Sequence, residues 1–351
     1  MSFRWCIVLS VILFRLAALW AQVSAVPFQT FTLEPRPHIR ALEVINDSTV
    51  WFAANRGMWG YTRDGGKSWH IDSLKIDTIS PQFRSIAVLN DSTVLLLSIQ
   101  SPALLLKTSD RGKTWRTVYR DNRKGIFFDS MVFSDHRQGF AIGDPIEGCF
   151  QVITTTDGGE TWGRLACNLL PAAEEGEACF ATSNSNIVAS GENVWFVTGG
   201  KYSRVFYSDK PGRGFKVFEA PLPAGETMTG IFSCDFYDRS KGVITGGNYD
   251  KTDSTIISLA VTEDSGNQWR PVKTSRPFFG SSVKFFSPYD VILTGHDGTF
   301  SVNLHSGVTT EITAMGEKLR YHVLRFSSGG KSIWLAGSNG RIAVAGKPWN
   351  R

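Results

Sequence analysis

Thr156-Asp157-Gly158-Gly159-Glu160-Thr161-Trp162 governs the reading of the whole chain, because the sequence returns to it several times. Thr62-Arg63-Asp64-Gly65-Gly66-Lys67-Ser68-Trp69 is one copy and Ser109-Asp110-Arg111-Gly112-Lys113-Thr114-Trp115 another. Thr262-Glu263-Asp264-Ser265-Gly266-Asn267-Gln268-Trp269 is looser, and in Ser208-Asp209-Lys210-Pro211-Gly212-Arg213-Gly214-Phe215 a Phe replaces the Trp. The shared pattern is S/T-x-D-x-G-x-S/T-W. An Asp carboxylate at that place can accept hydrogen bonds from backbone N–H groups of its own turn, and Gly permits a positive φ beside it. Apolar residues before the turn and Thr-Trp after it make a β-hairpin, with the Trp ring left to plug a neighbouring unit.

The spacing of the copies sets the architecture. Trp69 to Trp115 is 46 residues, Trp115 to Trp162 is 47, Trp162 to Phe215 is 53 and Phe215 to Trp269 is 54. A repeat of about 40–50 residues with several short strands per unit is the mark of a β-propeller. Seven units can be read. Their second strands are Val50 to Ala54, Val94 to Leu97, Gly139 to Gly143, Val194 to Gly199, Gly242 to Gly246, Val291 to Gly295 and Ile333 to Gly337. Asn46-Asp47-Ser48-Thr49-Val50 recurs as Asn90-Asp91-Ser92-Thr93-Val94, which makes the two turns the same element. The first strand of the fourth unit is expected at Cys179 to Thr182, and the third strand of the fifth at Ile256 to Val261. The seventh unit has three strands, and Phe28 to Leu33 alternates as a strand should, so this N-terminal segment is expected to close the ring on the last blade. The expectation is one all-β, seven-bladed propeller over residues 26–351.

The first 25 residues stand apart. A basic Arg4 precedes a mostly apolar run from Trp5 to Trp20, and Val23-Ser24-Ala25 offers small residues to a signal peptidase, so cleavage is expected after Ala25 and the protein in the periplasm or outside the cell. Arg15 interrupts the apolar run below a spanning length of about 20 residues. Without Arg4 and Arg15 the formal charge of +5 falls to +3. With its bases scattered, the chain carries no footprint for nucleic acid. Four cysteines remain: Cys149, Cys167, Cys179 and Cys234. Cys149 and Cys167 flank Gly158 symmetrically and can bridge the two strands of that hairpin. Cys179 and Cys234 either pair or stay buried and free. No C-x-x-C spacing signals zinc or redox chemistry and no glycine motif signals a dinucleotide, so neither metal nor cofactor is expected.

The repeated turn resembles the Asp-box, also called the bacterial neuraminidase repeat, with Asp64, Asp110, Asp157, Asp209 and Asp264 as its acids and Trp69, Trp115, Trp162 and Trp269 as its plugs. The whole resembles the Asp-box propellers of the photosystem II stability/assembly-factor-like group. It does so most closely in Gly143-Asp144-Pro145, Glu177-Ala178-Cys179-Phe180-Ala181-Thr182-Ser183-Asn184, Thr198-Gly199-Gly200, Gly230-Ile231-Phe232-Ser233 and Gly246-Gly247-Asn248-Tyr249. That resemblance implies binding and assembly rather than catalysis, and its members outside photosynthetic organisms are often exported bacterial proteins. Sialidases and xyloglucanases carry the box too. A sialidase needs an arginine triad, a Tyr–Glu pair and an Arg-Ile-Pro segment near the start, of which Arg36-Pro37-His38-Ile39-Arg40 is only a distant echo, and six blades would be expected.

Propeller topology sorts the loops. The box turns lie on one face; the loops between second and third strands, and those between blades, lie on the other, and there polar and aromatic residues gather. Arg84, Lys201, Tyr202, Asn248, Tyr249, His296 and His322 are therefore the ligand-binding candidates. Asp144, Glu177 and Asp129 fall on the same face. They can cap loops through backbone N–H groups, bind a ligand, or act as the acid/base pair of a glycosidase, which needs two carboxyls about 5–10 Å apart. The leading expectation is an exported, monomeric, non-catalytic propeller that binds a protein or glycan partner on that face. The alternative is a glycoside hydrolase or lyase using those acids.

Overall fold

The computed structural model describes residues 27–252 and 257–346; the expected signal peptide, residues 1–25, lies outside them, as does Ile256. The chain is a seven-bladed β-propeller of antiparallel sheets. From the axis outward, the first blade is Ile39–Val44, Val50–Ala54, Met58–Thr62 and His70–Ser73, and the second is Phe83–Val88, Val94–Ser98, Ala103–Thr108 and Arg116–Asp121. Blades 3 to 6 have Phe128–Phe133, Ile187–Ser190, Thr229–Phe236 and Ser282–Ser287 innermost. Blade 7 runs Val323–Phe326, Ser332–Ala336 and Arg341–Gly346, and Gln29–Thr32 completes it, with Gln29 opposite Val344 and Thr32 opposite Arg341. The N-terminal strand thus closes the ring as its alternation foretold. Among the described residues no helix is long and apolar enough to cross a membrane.

The repeated turns share one hydrogen-bond pattern. Thr62 Oγ1 donates to Asp64 Oδ1 (2.8 Å), Ser68 donates to the same carboxylate through N (2.9 Å) and Oγ, and Gly66 N donates to Thr62 Oγ1 (2.9 Å). The pattern repeats at Thr108-Asp110-Thr114 and Thr155-Asp157-Thr161, and at Thr262-Asp264-Gln268 without the last hydroxyl. These bonds favour the charged carboxylate, and hold Asp64 and Asp110 down to about 2. The copy at Ser208 differs: Ser208 Oγ donates to Gly214 O (2.6 Å) around the short turn Pro211–Arg213. Among the described residues Asp209 accepts none of these bonds, because it stands one residue after Ser208, at the place of Arg63, and Lys210 occupies the acid's place before Pro211. The Trp rings pack between blades. Trp115 meets Trp59 edge-on at 5.1 Å and Trp69 meets Trp334 at 6.3 Å. Gly112 (φ +83°) is required here, since a Cβ would come within 2.1 Å of the Trp59 ring. Trp51, Trp195 and Trp334 are buried at the second strands of blades 1, 4 and 7. A disulfide joins Cys149 to Cys167, while Cys179 and Cys234 are buried free thiols.

Blade 4 departs from expectation. Its innermost strand is Ile187–Ser190, not Cys179 to Thr182, and residues 181–186 (Ala-Thr-Ser-Asn-Ser-Asn) form a buried loop instead. The strand reading fails because Cys-Phe-Ala-Thr is β-prone in isolation, whereas the polar residues after it find partners only on the propeller axis. There the loop is held by all the other blades. Asn184 Oδ1 accepts from Ser85 Oγ (2.5 Å) and Met131 N (3.1 Å), and its Nδ2 donates to Ile86 O (3.2 Å). Ser130 Oγ donates to Asn186 Oδ1, Ser185 Oγ to Ser233 Oγ (2.8 Å), and Ser183 Oγ to Ser281 O (2.5 Å). Arg325 Nη2 donates to Asn184 O (2.6 Å), Arg84 Nη1 to Ala181 O (2.9 Å) and Arg40 Nη1 to Thr182 O (3.5 Å). Asn184 sits at φ +52°, which Asn tolerates better than most residues. Replacing it with Ala leaves the buried polar groups of Ser85, Ile86 and Met131 without their partner. We expect Asn184→Ala to cost about 3 kcal/mol, read as a lowered urea midpoint at unchanged slope.

Candidate functional site at the channel mouth

The loop divides the axis into two compartments. The mouth opposite the box turns is built by β-bulges. In blade 1 the register passes from Ile39 opposite Ala54 to Ala41 opposite Ala53, which leaves Arg40 as the extra residue. The same shift singles out Arg84 in blade 2, Asp129 in blade 3 and Phe232 in blade 5. A bulge turns its extra side chain out of the regular alternation. Four blades thereby direct one residue each to the same end of the channel.

Arg40 is buried and Arg84 half-buried, and among the described residues neither has a carboxylate within ion-pair distance. Arg40 Nε donates to His38 Nε2 (2.7 Å), and His38 stacks on His322 with centroids 5.1 Å apart. His322 Nε2 lies 2.8 Å from Ser338 Oγ. Burial, reinforced by the two arginines, lowers His38 to about 4 and His322 to about 2, so both imidazoles are neutral at pH 7. Burial and the nearby Arg40 lower Arg84 to about 10. Beside these cations Phe180 stacks on Phe232 at 4.0 Å, Phe279 meets Phe232 edge-on at 4.8 Å, and Tyr249 lies 4.8 Å from His296 and 5.4 Å from Phe279. The mouth therefore joins two cations without ion-pair partners among the described residues to an aromatic wall, and the buried Asp129 is near enough for its charge to act on Arg84.

The three candidate acids do not form a pair poised over an open pocket. Glu177 is buried and paired with Arg204, whose Nε donates to Oε1 (2.9 Å) and whose Nη2 donates to Oε2. Thr198 Oγ1 and Glu174 N donate to the same carboxylate, so it holds the Glu177–Gly200 bridge in place rather than facing a ligand. Asp144 accepts from Cys179 N (2.9 Å), and burial raises it to about 6. Asp129 is fully buried with neither oxygen hydrogen-bonded, and burial followed by repulsion from Asp144 raises it well above the usual carboxylate range.

Of the ligand-binding candidates, Arg84, Tyr249, His296 and His322 come together at the mouth. Lys201 and Tyr202 lie exposed, Lys201 3.7 Å from Glu175. Asn248 is occupied in its own turn: Nδ2 donates to Glu226 (2.8 Å) and Thr229 (2.9 Å), and Oδ1 accepts from Asp250 N and Lys251 N. Sequence reasoning missed Arg40, His38, Phe180, Phe232 and Phe279. Alignment of the first strands would have found two of them, since Arg40, Arg84, Asp129 and Phe232 share one place in their blades. No cluster of three or more His, Cys, Asp or Glu side chains suited to a metal occurs among the described residues.

No protein-family model matches the chain, and no curated protein matches it. Solved structures do. YCF48 bound to D1 peptide is 15% identical, with a TM-score of 0.63 over 92% of this chain and 97% of that one. YCF48 from Cyanidioschyzon merolae is 14% identical, with a TM-score of 0.64 over 91% and 99%. Virginiamycin B lyase from Staphylococcus aureus is 12% identical, with a TM-score of 0.68 over 91% and 98%. A binding protein and an enzyme thus share this architecture, and fold alone does not choose between them.

The Glu177–Arg204 pair yields a check on its structural role. Arg204→Met leaves a buried carboxylate without its cation and should cost about 3–5 kcal/mol, whereas Glu177→Gln combined with Arg204→Met should recover most of that loss. Thermal unfolding of the two variants measures the difference.

Proposed function

We propose that this chain is an exported, non-catalytic propeller that holds a protein partner at the mouth opposite the box turns, in a scaffold or assembly role. The observation that carries this reading is the pair Arg40 and Arg84, held partly desolvated with no carboxylate within ion-pair distance among the described residues and next to the wall of Phe180, Phe232 and Phe279. Buried cations normally have a counter-charge, and one supplied by a partner's carboxylate would form charge-assisted, bidentate bonds. An adjoining apolar side chain would then rest on the aromatic wall. A peptide segment with an acidic group next to an apolar residue has that chemistry. Fold similarity to YCF48 solved with a D1 peptide gives the reading a precedent without supplying the partner.

Export rests on the N-terminal segment, and the mature chain in this reading starts at Val26. The alternative, a glycoside hydrolase or lyase, loses Glu177 to its ion pair with Arg204, and Asp144 keeps a backbone bond. Selection of displayed peptides on the mature chain, followed by fluorescence polarisation and a parallel glycan array, tests the proposal. Selected peptides should carry a carboxylate beside an apolar residue. Arg40→Gln with Arg84→Gln should weaken binding at least about tenfold, or about 1.4 kcal/mol, while Lys201→Gln leaves it unchanged. Undiminished binding by the double variant, or selective retention of neutral glycans alone, would overturn it.

A further inference from the structure

On the box side of the central loop lies a cavity of about 440 Å³, within the range of small-molecule sites. Its wall includes a ring of equivalent positions, one from each blade. Three residues beyond the bulges stand Glu43, Ala87, Val132 and Asp235. Sheet pairing gives the other three, because Val188 faces Trp195, Lys284 faces Ile292 and Arg325 faces Trp334 just as Glu43 faces Trp51. The ring is divided. Consecutive blades 2, 3 and 4 contribute Ala87, Val132 and Val188, whereas consecutive blades 5, 6, 7 and 1 contribute Asp235, Lys284, Arg325 and Glu43. One side is apolar, and the other reads acid, base, base, acid.

The charged side is only partly self-satisfied. Lys284 Nζ pairs with Asp235 Oδ1 at 2.5 Å. Arg325 directs its Nη atoms to the carbonyls of Leu324, Ser183 and Asn184. Its Nε stands 3.9 Å from Glu43 Oε1, too far for a hydrogen bond, and Glu43 accepts none among the described residues. Burial accordingly raises the Glu43 carboxyl above its usual range.

We propose that this cavity binds a small zwitterion of the α-amino-acid class with an apolar side chain. The ligand's carboxylate lies between the neighbouring bases Lys284 and Arg325, its ammonium group on Glu43, and its side chain against Ala87, Val132 and Val188. This site is on the far side of the loop from the partner-binding mouth and does not depend on it.

Isothermal titration of the purified chain with L-leucine tests the assignment. Leucine is expected to bind with one-to-one stoichiometry. Leucinamide, which lacks the carboxylate, N-acetyl-leucine, which lacks the ammonium, and glycine, which lacks the side chain, are each expected to bind at least about tenfold more weakly. Glu43→Gln, nearly isosteric and with its unfolding midpoint checked against the parent, should lose leucine binding by a similar factor. Lys201→Gln, at an exposed position outside the cavity lining, should bind leucine as the parent does. No binding up to about 10 mM leucine, equal binding of all four compounds, or unaltered binding by Glu43→Gln would overturn the proposal.

Discussion

The amide of Asn184 organises the centre of this propeller. One side chain at φ +52° accepts from Ser85 and Met131 and donates to Ile86, tying the innermost strands of blades 2 and 3 to a loop that belongs to blade 4. Around it Ser183, Ser185 and Asn186 reach blades 6, 5 and 3. A propeller axis is a poor place for polar groups unless each has a partner, since a buried donor or acceptor left alone costs about 1–3 kcal/mol. The short serine and asparagine side chains of this loop match the serines at equivalent places in the inner strands: Ser85, Ser130 and Ser233. The network closes the channel and gives the protein two separate axial compartments.

At the periphery the same economy is achieved blade by blade. The carboxylates of Asp64, Asp110, Asp157 and Asp264 each gather their own turn, and the Trp that follows seals a seam between sheets. Where the motif erodes, a local substitute stands in. Blade 6 uses Asn303 Oδ1, which accepts from the backbone N–H of His305 (3.2 Å) and Ser306 (2.9 Å), ahead of Gly307 at φ +72°. Such turns stabilise hairpins at one rim, while the bulges at the opposite rim release Arg40, Arg84, Asp129 and Phe232 from regular pairing. Rigidity and display are thus assigned to opposite faces of the propeller.

The blade count, the closing strand and the Cys149–Cys167 bridge were legible in the sequence because each follows from local spacing. The central loop was not. Its stability comes from side-chain contacts 48 to 142 residues away in sequence, and Cys179 to Thr182 reads as a strand when those contacts are invisible. Glu177 shows the same limit: an acid in a glycine-rich loop looks available until Arg204, 27 residues on, is seen to occupy it. Arg84, Tyr249, His296 and His322 were found by sorting loops onto faces. Arg40 and Phe232 were missed because they sit inside strands, where only a break in register distinguishes them. The division of the inner ring into an apolar side and a charged side is visible only once the bulges are known, for they shift the count by one.

Residues 181–186 are a fixed part of the axis, held by hydrogen bonds to the inner strands. Hydrogen–deuterium exchange followed by mass spectrometry tests it directly. Peptides spanning this loop are expected to exchange as slowly as the inner strands Ile187–Ser190 and Thr229–Phe236, on the timescale of global unfolding. Exchange as fast as that of the exposed turn at residues 46–48 would contradict it.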